Sequence, residues 1–156
     1  MKKKSVLIVD DEDIILASLG RDLGLDIYEV KTASNGDEAL ERFREEKFDL
    51  VISDYMMPGI NGLELLKRVK SIDPHIVFII LTGYGDSVST MQILENGADE
   101  MLLKPCDTEE LMLRMDRYLR IHDALRRLEC LEESLPLCSA CGAPLGQACS
   151  GDRRDS

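Results

Sequence analysis

Hydrophobic residues along this chain come in short unbroken runs, separated by longer amphipathic stretches. Val6-Leu7-Ile8-Val9, Leu50-Val51-Ile52 and Ile76 to Leu81 are apolar at every position, as strands covered on both faces must be. Asp26-Ile27-Tyr28-Glu29-Val30-Lys31 alternates instead, which suits a strand at a sheet edge. Between the runs, apolar residues recur at helical spacing. The pattern predicts strands near 5–10, 26–31, 48–53, 76–81 and 100–103. It predicts helices near 12–24, 36–46, 62–71, 86–96 and 107 to about 131.

Alternating units of this kind build an α/β fold with a doubly wound, five-stranded parallel sheet. An edge position for the second strand selects the order 2-1-3-4-5, the flavodoxin-like arrangement. Punctuation agrees. Asn35-Gly36 precedes Asp37-Glu38, Asn96-Gly97 is a stop after Leu94, and Asp107 with Glu110 makes a capping-box-like start for the last helix.

From Asp107 onward the helical pattern outlasts what a five-unit domain needs. Leu111, Met115 and Tyr118 continue into Ile121, Leu125, Leu128 and Leu131, with a slip near Tyr118–Ile121. That leaves roughly two usable heptads, short of the three to four that argue a coiled coil. Two readings follow: a helix that packs on its own sheet and then projects, or a dimer-forming extension. Pro136 ends the helix, and residues 136–156 are rich in Gly, Ser and Ala, so that segment is expected to be disordered unless a metal or partner organises it. The expected organisation is a domain over 1–120, a helical extension over 121–135 and a Cys-containing tail over 136–156.

Composition narrows the function classes. A 44% hydrophobic content is enough for a globular core. The net charge of −11, with no basic arm in the tail, argues against direct nucleic-acid binding. Lys2-Lys3-Lys4 is followed by an apolar stretch that stops at Asp10, too short for a signal peptide, and nothing approaches membrane-span length. The five cysteines are odd in number; Cys130, Cys138, Cys141 and Cys149 crowd toward the end while Cys106 stands apart. No disulfide framework is read from them, and a cytoplasmic location is expected.

The chemistry lies at the strand ends. The first run closes on Asp10-Asp11, the third on Asp54, the fourth on Thr82 and the fifth on Lys104-Pro105. In a parallel sheet these converge on the carboxyl edge, where open α/β sheets bind ligands. Each piece alone has an ordinary explanation: Asp10-Asp11-Glu12-Asp13 as a helix N-terminus favouring negative charge, Thr82 and Lys104 as turn residues. Together they form a carboxylate cluster that calls for a proton or a cation. Mg²⁺ fits, being a hard ion that takes oxygen ligands, whereas zinc would want Cys or His. With a metal in place Asp54 can act as a nucleophile toward phosphorus. Mg²⁺ would neutralise one phosphoryl oxygen, Lys104 a second, and the Thr82 hydroxyl would bond a third. The Lys104-Pro105 bond is open to a cis form, which Pro permits in a tight turn.

These residues resemble the receiver domain of two-component response regulators over about 4–120. The resemblance is carried by Asp10-Asp11 after an apolar strand, Asp54 followed by Met57-Pro58 and Gly62, Leu81-Thr82-Gly83-Tyr84, and Gly97-Ala98-Asp99 leading to Lys104-Pro105. It implies that Asp54 accepts a phosphoryl group from a phosphohistidine of a sensor histidine kinase. It also implies Mg²⁺ held by Asp10, Asp11, Asp54 and the Met56 carbonyl, with Thr82 and Lys104 on the phosphoryl oxygens. Such a receiver supplies most of the transfer chemistry, hydrolyses its own acyl phosphate, and is otherwise a regulator rather than an enzyme. One position departs from the pattern: Met101, three residues before the lysine, stands where the family commonly carries Tyr or Phe, with Tyr84 nearby in sequence. Met56, two residues after Asp54, is apolar and unable to orient an attacking water, which predicts a long-lived acyl phosphate.

No output-domain signature follows the receiver stretch. Signalling is therefore expected through a homodimer or a downstream protein, by way of the face spanning roughly Asp86 to Tyr118, in a stand-alone receiver or the front of a larger regulator. Cys138-Ser139-Ala140-Cys141-Gly142, with Cys149 and Cys130, carries the alternative of a metal-dependent interaction module with the receiver as scaffold. A flavodoxin-like cofactor binder is disfavoured, because phosphate-bearing cofactors prefer Gly-rich loops and helix N-termini to three carboxylates.

Overall fold

The computed structural model of the protein describes residues 2–25, 27–83, 86 and 88–134. Strands and helices alternate as β1 (Lys4–Val9), α1 (Asp13–Gly24), β2 (Tyr28–Ala33), α2 (Gly36–Glu45), β3 (Leu50–Asp54), α3 (Gly62–Ile72), β4 (Val77–Thr82), α4 (Thr90–Glu95), β5 (Glu100–Leu103) and α5 (Thr108–Ser134). The strands form one parallel sheet in the order β2-β1-β3-β4-β5, with β2 at an edge as its alternating pattern predicts.

Period-two alternation along each strand divides the core into two layers. Leu7, Val9, Val51, Phe78 and Ile80 pack with Leu40, Leu65, Leu66 and Ile93 of α2, α3 and α4. Val6, Ile8, Leu50, Ile52, Val77 and Ile79 pack with Leu16, Leu19 and Leu23 of α1 and Leu111, Met115 and Leu119 of α5. Each such side chain stabilises the fold by about 1.5–3 kcal/mol relative to exposure. Two-sided burial is why these strands read as continuous apolar runs.

Three boundaries differ from the sequence expectation. The second strand begins at Tyr28 rather than near 26, because pairing from Lys4↔Tyr28 to Val9↔Ala33 carries it onward to Ala33. Helix α4 begins at Thr90, not near 86, because Ser89 closes a capping box: its side chain accepts from the Gln92 N–H while the Gln92 side chain accepts from the Ser89 N–H. Helix α5 reaches Ser134. Its start is fixed by Asp107, whose carboxylate accepts from the Glu109 N–H at 3.2 Å. At the stop after α4, Gly97 has φ +103° and donates to the Leu94 carbonyl, a conformation that L side chains rarely adopt.

The chain divides into two units, with a boundary after Leu119. In the second unit, α5 leaves Ile121, Leu125 and Leu128 exposed. Among the described residues, no helix is long and apolar enough to cross a membrane. Tyr84, Pro136 and the Cys138-to-Cys149 segment lie outside the described residues.

Candidate functional site

Four adjacent strands present the sequence-predicted residues at one edge of the sheet. Asp54 is the last residue of β3 and pairs in register with Leu81, so Thr82 ends β4 one residue further on. Asp10 follows β1, held by its N–H donating to the Ala33 carbonyl at 3.2 Å. Lys104 follows β5 and donates its backbone N–H to the Thr82 carbonyl at 2.7 Å, after which the Lys104–Pro105 peptide is cis.

Asp10, Asp54 and Thr82 are buried, whereas Asp11 is exposed. One carboxylate oxygen from each of Asp10, Asp11 and Asp54 lies within 4.8 Å of the others. Lys104 reaches across this group, its Nζ 2.8 Å from Asp10 Oδ2 and 3.1 Å from Asp54 Oδ2. The other Asp10 oxygen accepts from the Glu12 N–H at 2.9 Å. Asp10 is thus pinned between the start of α1 and the ammonium, while Asp54 leans on Lys104.

Burial raises the Asp54 pKa above its usual 3.8, helped by the charges of Asp10 and Asp11, and Lys104 only partly opposes it. For Lys104, burial pulls the ammonium's pKa down, but hydrogen bonds and attraction to Asp10 and Asp54 outweigh it and leave the pKa above 10.5. The ammonium is therefore a fixed positive charge beside a carboxylate that is poorly solvated. Three hard oxygen donors in reach of one another, with no sulfur or imidazole among them, suit a small divalent cation such as Mg²⁺.

The turn after Asp54 is held tightly. The Gly62 N–H donates to the Tyr55 carbonyl at 2.9 Å, and a Cβ on Gly62 would fall 2.5 Å from the Asp54 carbonyl oxygen. Only glycine lets the start of α3 approach the Asp54 backbone this closely. The Met56 side chain is 58% exposed, so no packing fixes it over the site. Met101 is partly buried and packs, with Val88, against the core layer under α2, α3 and α4.

Residues 6–116 match the response regulator receiver domain family. The chain belongs to that family. It is a receiver over those residues, and it spans about a third or less of the length of several of the curated relatives it matches. It is 37% identical to the sporulation initiation phosphotransferase F of Bacillus subtilis over 119 residues, covering 76% of this chain and 96% of that one. It is 35% identical to a cyclic di-GMP phosphodiesterase of Thermotoga maritima, but spans only 31% of that protein's length. A receiver-domain structure from Clostridium thermocellum superimposes with a TM-score of 0.74 at 35% identity, covering 78% of this chain and 98% of that one. The receiver matches carry this reading; the cysteine-module alternative falls on residues outside those described.

Sequence reasoning passes over one residue at this edge. The Asp86 carboxylate accepts from the Gly83 N–H at 2.7 Å, immediately beyond Thr82. Its sequence signal is slight: an Asp three residues after a glycine in a polar connection.

Proposed function

We propose that Asp54 accepts a phosphoryl group from a sensor histidine kinase in a Mg²⁺-dependent transfer. Asp10, Asp11, Asp54 and the Met56 carbonyl would hold the metal. Lys104 and Thr82 receive the phosphoryl oxygens. The observation that carries this reading is the Lys104 ammonium held between Asp10 and Asp54 beside a third carboxylate. When bound, Mg²⁺ supplies charge neutralisation of a phosphoryl oxygen.

Asp54 attacks phosphorus with one carboxylate oxygen. A P–O bond forms as the P–N bond to the donor imidazole breaks, and the imidazole nitrogen keeps the electron pair and takes up a proton. Burial leaves the attacking carboxylate poorly hydrated, which reduces the water that must be shed. Lys104 loses little entropy in meeting the incoming charge, because it is already ordered by Asp10. Hydrolysis of the acyl phosphate is self-catalysed, and the chain otherwise acts as a cytoplasmic regulator without direct nucleic-acid contact.

Output passes through a homodimer or a downstream protein, by the face of α4, β5 and α5. Exposed Met91, Leu94 and Leu103 on that face supply apolar contact area. Two measurements test the proposal. Incubation with acetyl phosphate and Mg²⁺ should add one phosphoryl mass, and Asp54→Asn should add none; labelling that persists in the variant rejects the assignment. Light scattering with Mg²⁺ and beryllofluoride, a phosphoryl mimic, should show a doubled mass only when Asp54 is present if the output is a homodimer. An unchanged monomer mass assigns the output to another protein.

A further inference from the structure

Gly83 follows the last residue of β4, and hydrogen bonds on either side fix the direction of its N–H. The Leu81 carbonyl accepts from the Tyr55 N–H at 2.8 Å and therefore faces β3. The next carbonyl, that of Thr82, accepts from the Lys104 N–H at 2.7 Å and faces the β5 side. In a trans peptide the N–H lies opposite the carbonyl. The Gly83 N–H is thus turned toward the β3 side, the strand that ends in Asp54.

That donor is occupied. Asp86 Oδ2 accepts from it at 2.7 Å, and the Asp86 N–H returns a longer bond to the Gly83 carbonyl at 3.4 Å. The pair closes a small ring that ties the chain after Thr82 to its own carboxylate. A backbone donor beside Thr82 and aimed to the Asp54 side is the kind of group that would stabilise a phosphoryl oxygen on Asp54.

We infer that Asp86 is a positioning residue that holds the receiver in its resting state, by keeping the Gly83 N–H from the phosphoryl group. The inference rests on the phosphoacceptor reading of Asp54. One N–H cannot serve two anions well, and a phosphoryl group with a charge of about −1.5 to −2 repels a nearby carboxylate. Phosphorylation therefore exchanges the partner of Gly83: its N–H passes to a phosphoryl oxygen, and Asp86 turns to water. The Asp86 bond belongs to the resting form alone, so removing it shifts the balance toward the phosphoryl-bound form.

Asp86→Ala should bind beryllofluoride, in saturating Mg²⁺, roughly five- to tenfold more tightly than the wild type, the scale of one charge-assisted hydrogen bond partly replaced by water. Asp86→Asn keeps an acceptor without its charge and should fall between the two. Calorimetric titration reads both, and Mg²⁺ affinity alone should change by less than about twofold, because Asp86 lies outside the carboxylate cluster. The Gly83 amide proton resonance should move upfield in metal-free Asp86→Ala as the carboxylate bond is lost. Equal or weaker beryllofluoride binding by both variants overturns the inference while leaving Asp54 as acceptor. Failure of the wild type itself to bind beryllofluoride overturns both. If Asp86→Ala does not fold, tighter binding by Asp86→Asn supports the inference and unchanged binding rejects it.

Discussion

Asp54 is a carboxylate in a place that disfavours its charge, and Lys104 is an ammonium in a place that favours its own. Between the usual pKa of 3.8 and its raised value in the fold, Asp54 binds more protons folded than unfolded. Stability in metal-free buffer therefore declines as pH rises through that window. Asp54→Asn should remove this part of the decline, and urea denaturation of both proteins from about pH 4 to about pH 7 measures the difference. The variant should be more stable than the wild type at neutral pH without metal, and should lose most of the stabilisation that Mg²⁺ gives. Lys104 shares that slope for the opposite electrostatic reason, since the fold favours its charge: its contribution is complete below 10.5 and lost as pH rises through its raised pKa. Met56→Asn places a polar group beside the acceptor, and should shorten the acyl-phosphate lifetime by about threefold or more through orientation of water. Following decay of the labelled protein decides it; slower or unchanged decay rejects the role. At this scale the acids, Thr82 and Lys104 were legible because each ends an apolar run. The 2.8 Å and 3.1 Å bridges were not, since no spacing along a chain encodes which oxygen an ammonium meets.

Elements place those residues, and their ends matter more than their middles. Strand order followed from composition: three runs apolar at every position and one that alternates. Boundaries were harder. The Ser89 capping box outweighed the polar residues before it and shortened α4, although Ser89 and Gln92 stand at capping-box spacing in the sequence. Ser89→Ala should cost about 1 kcal/mol by losing that cap, read as a lowered urea midpoint with an unchanged slope. Gly62 has a sharper role, because its Cβ would meet Asp54 backbone rather than a movable side chain. Gly62→Ala should destabilise the fold by about 2–3 kcal/mol through forced backbone shifts, and should slow acetyl-phosphate labelling as Asp54 is displaced. A variant with wild-type stability and labelling would show that the turn yields freely. Nothing in the residues around Gly62 announces this contact; it exists only when α3 docks against the end of β3.

At the scale of the whole molecule, one family assignment covers the first unit, and the relatives divide over what is joined to it. The chain spans nearly all of one relative but less than a third of another. The carboxylate and lysine cluster is one that no local segment can build. Lys104 meets Asp10 across 94 positions of sequence, through three strand ladders that lie between β1 and β5. Closing a contact of such separation costs more chain entropy than closing a short loop. A chain still emerging from synthesis, with β5 undocked, holds its acids without the ammonium that answers them. Competence for the proposed phosphoryl transfer is thus coupled to completion of the fold, and the lysine proposed for that chemistry also certifies that the receiver has finished assembling.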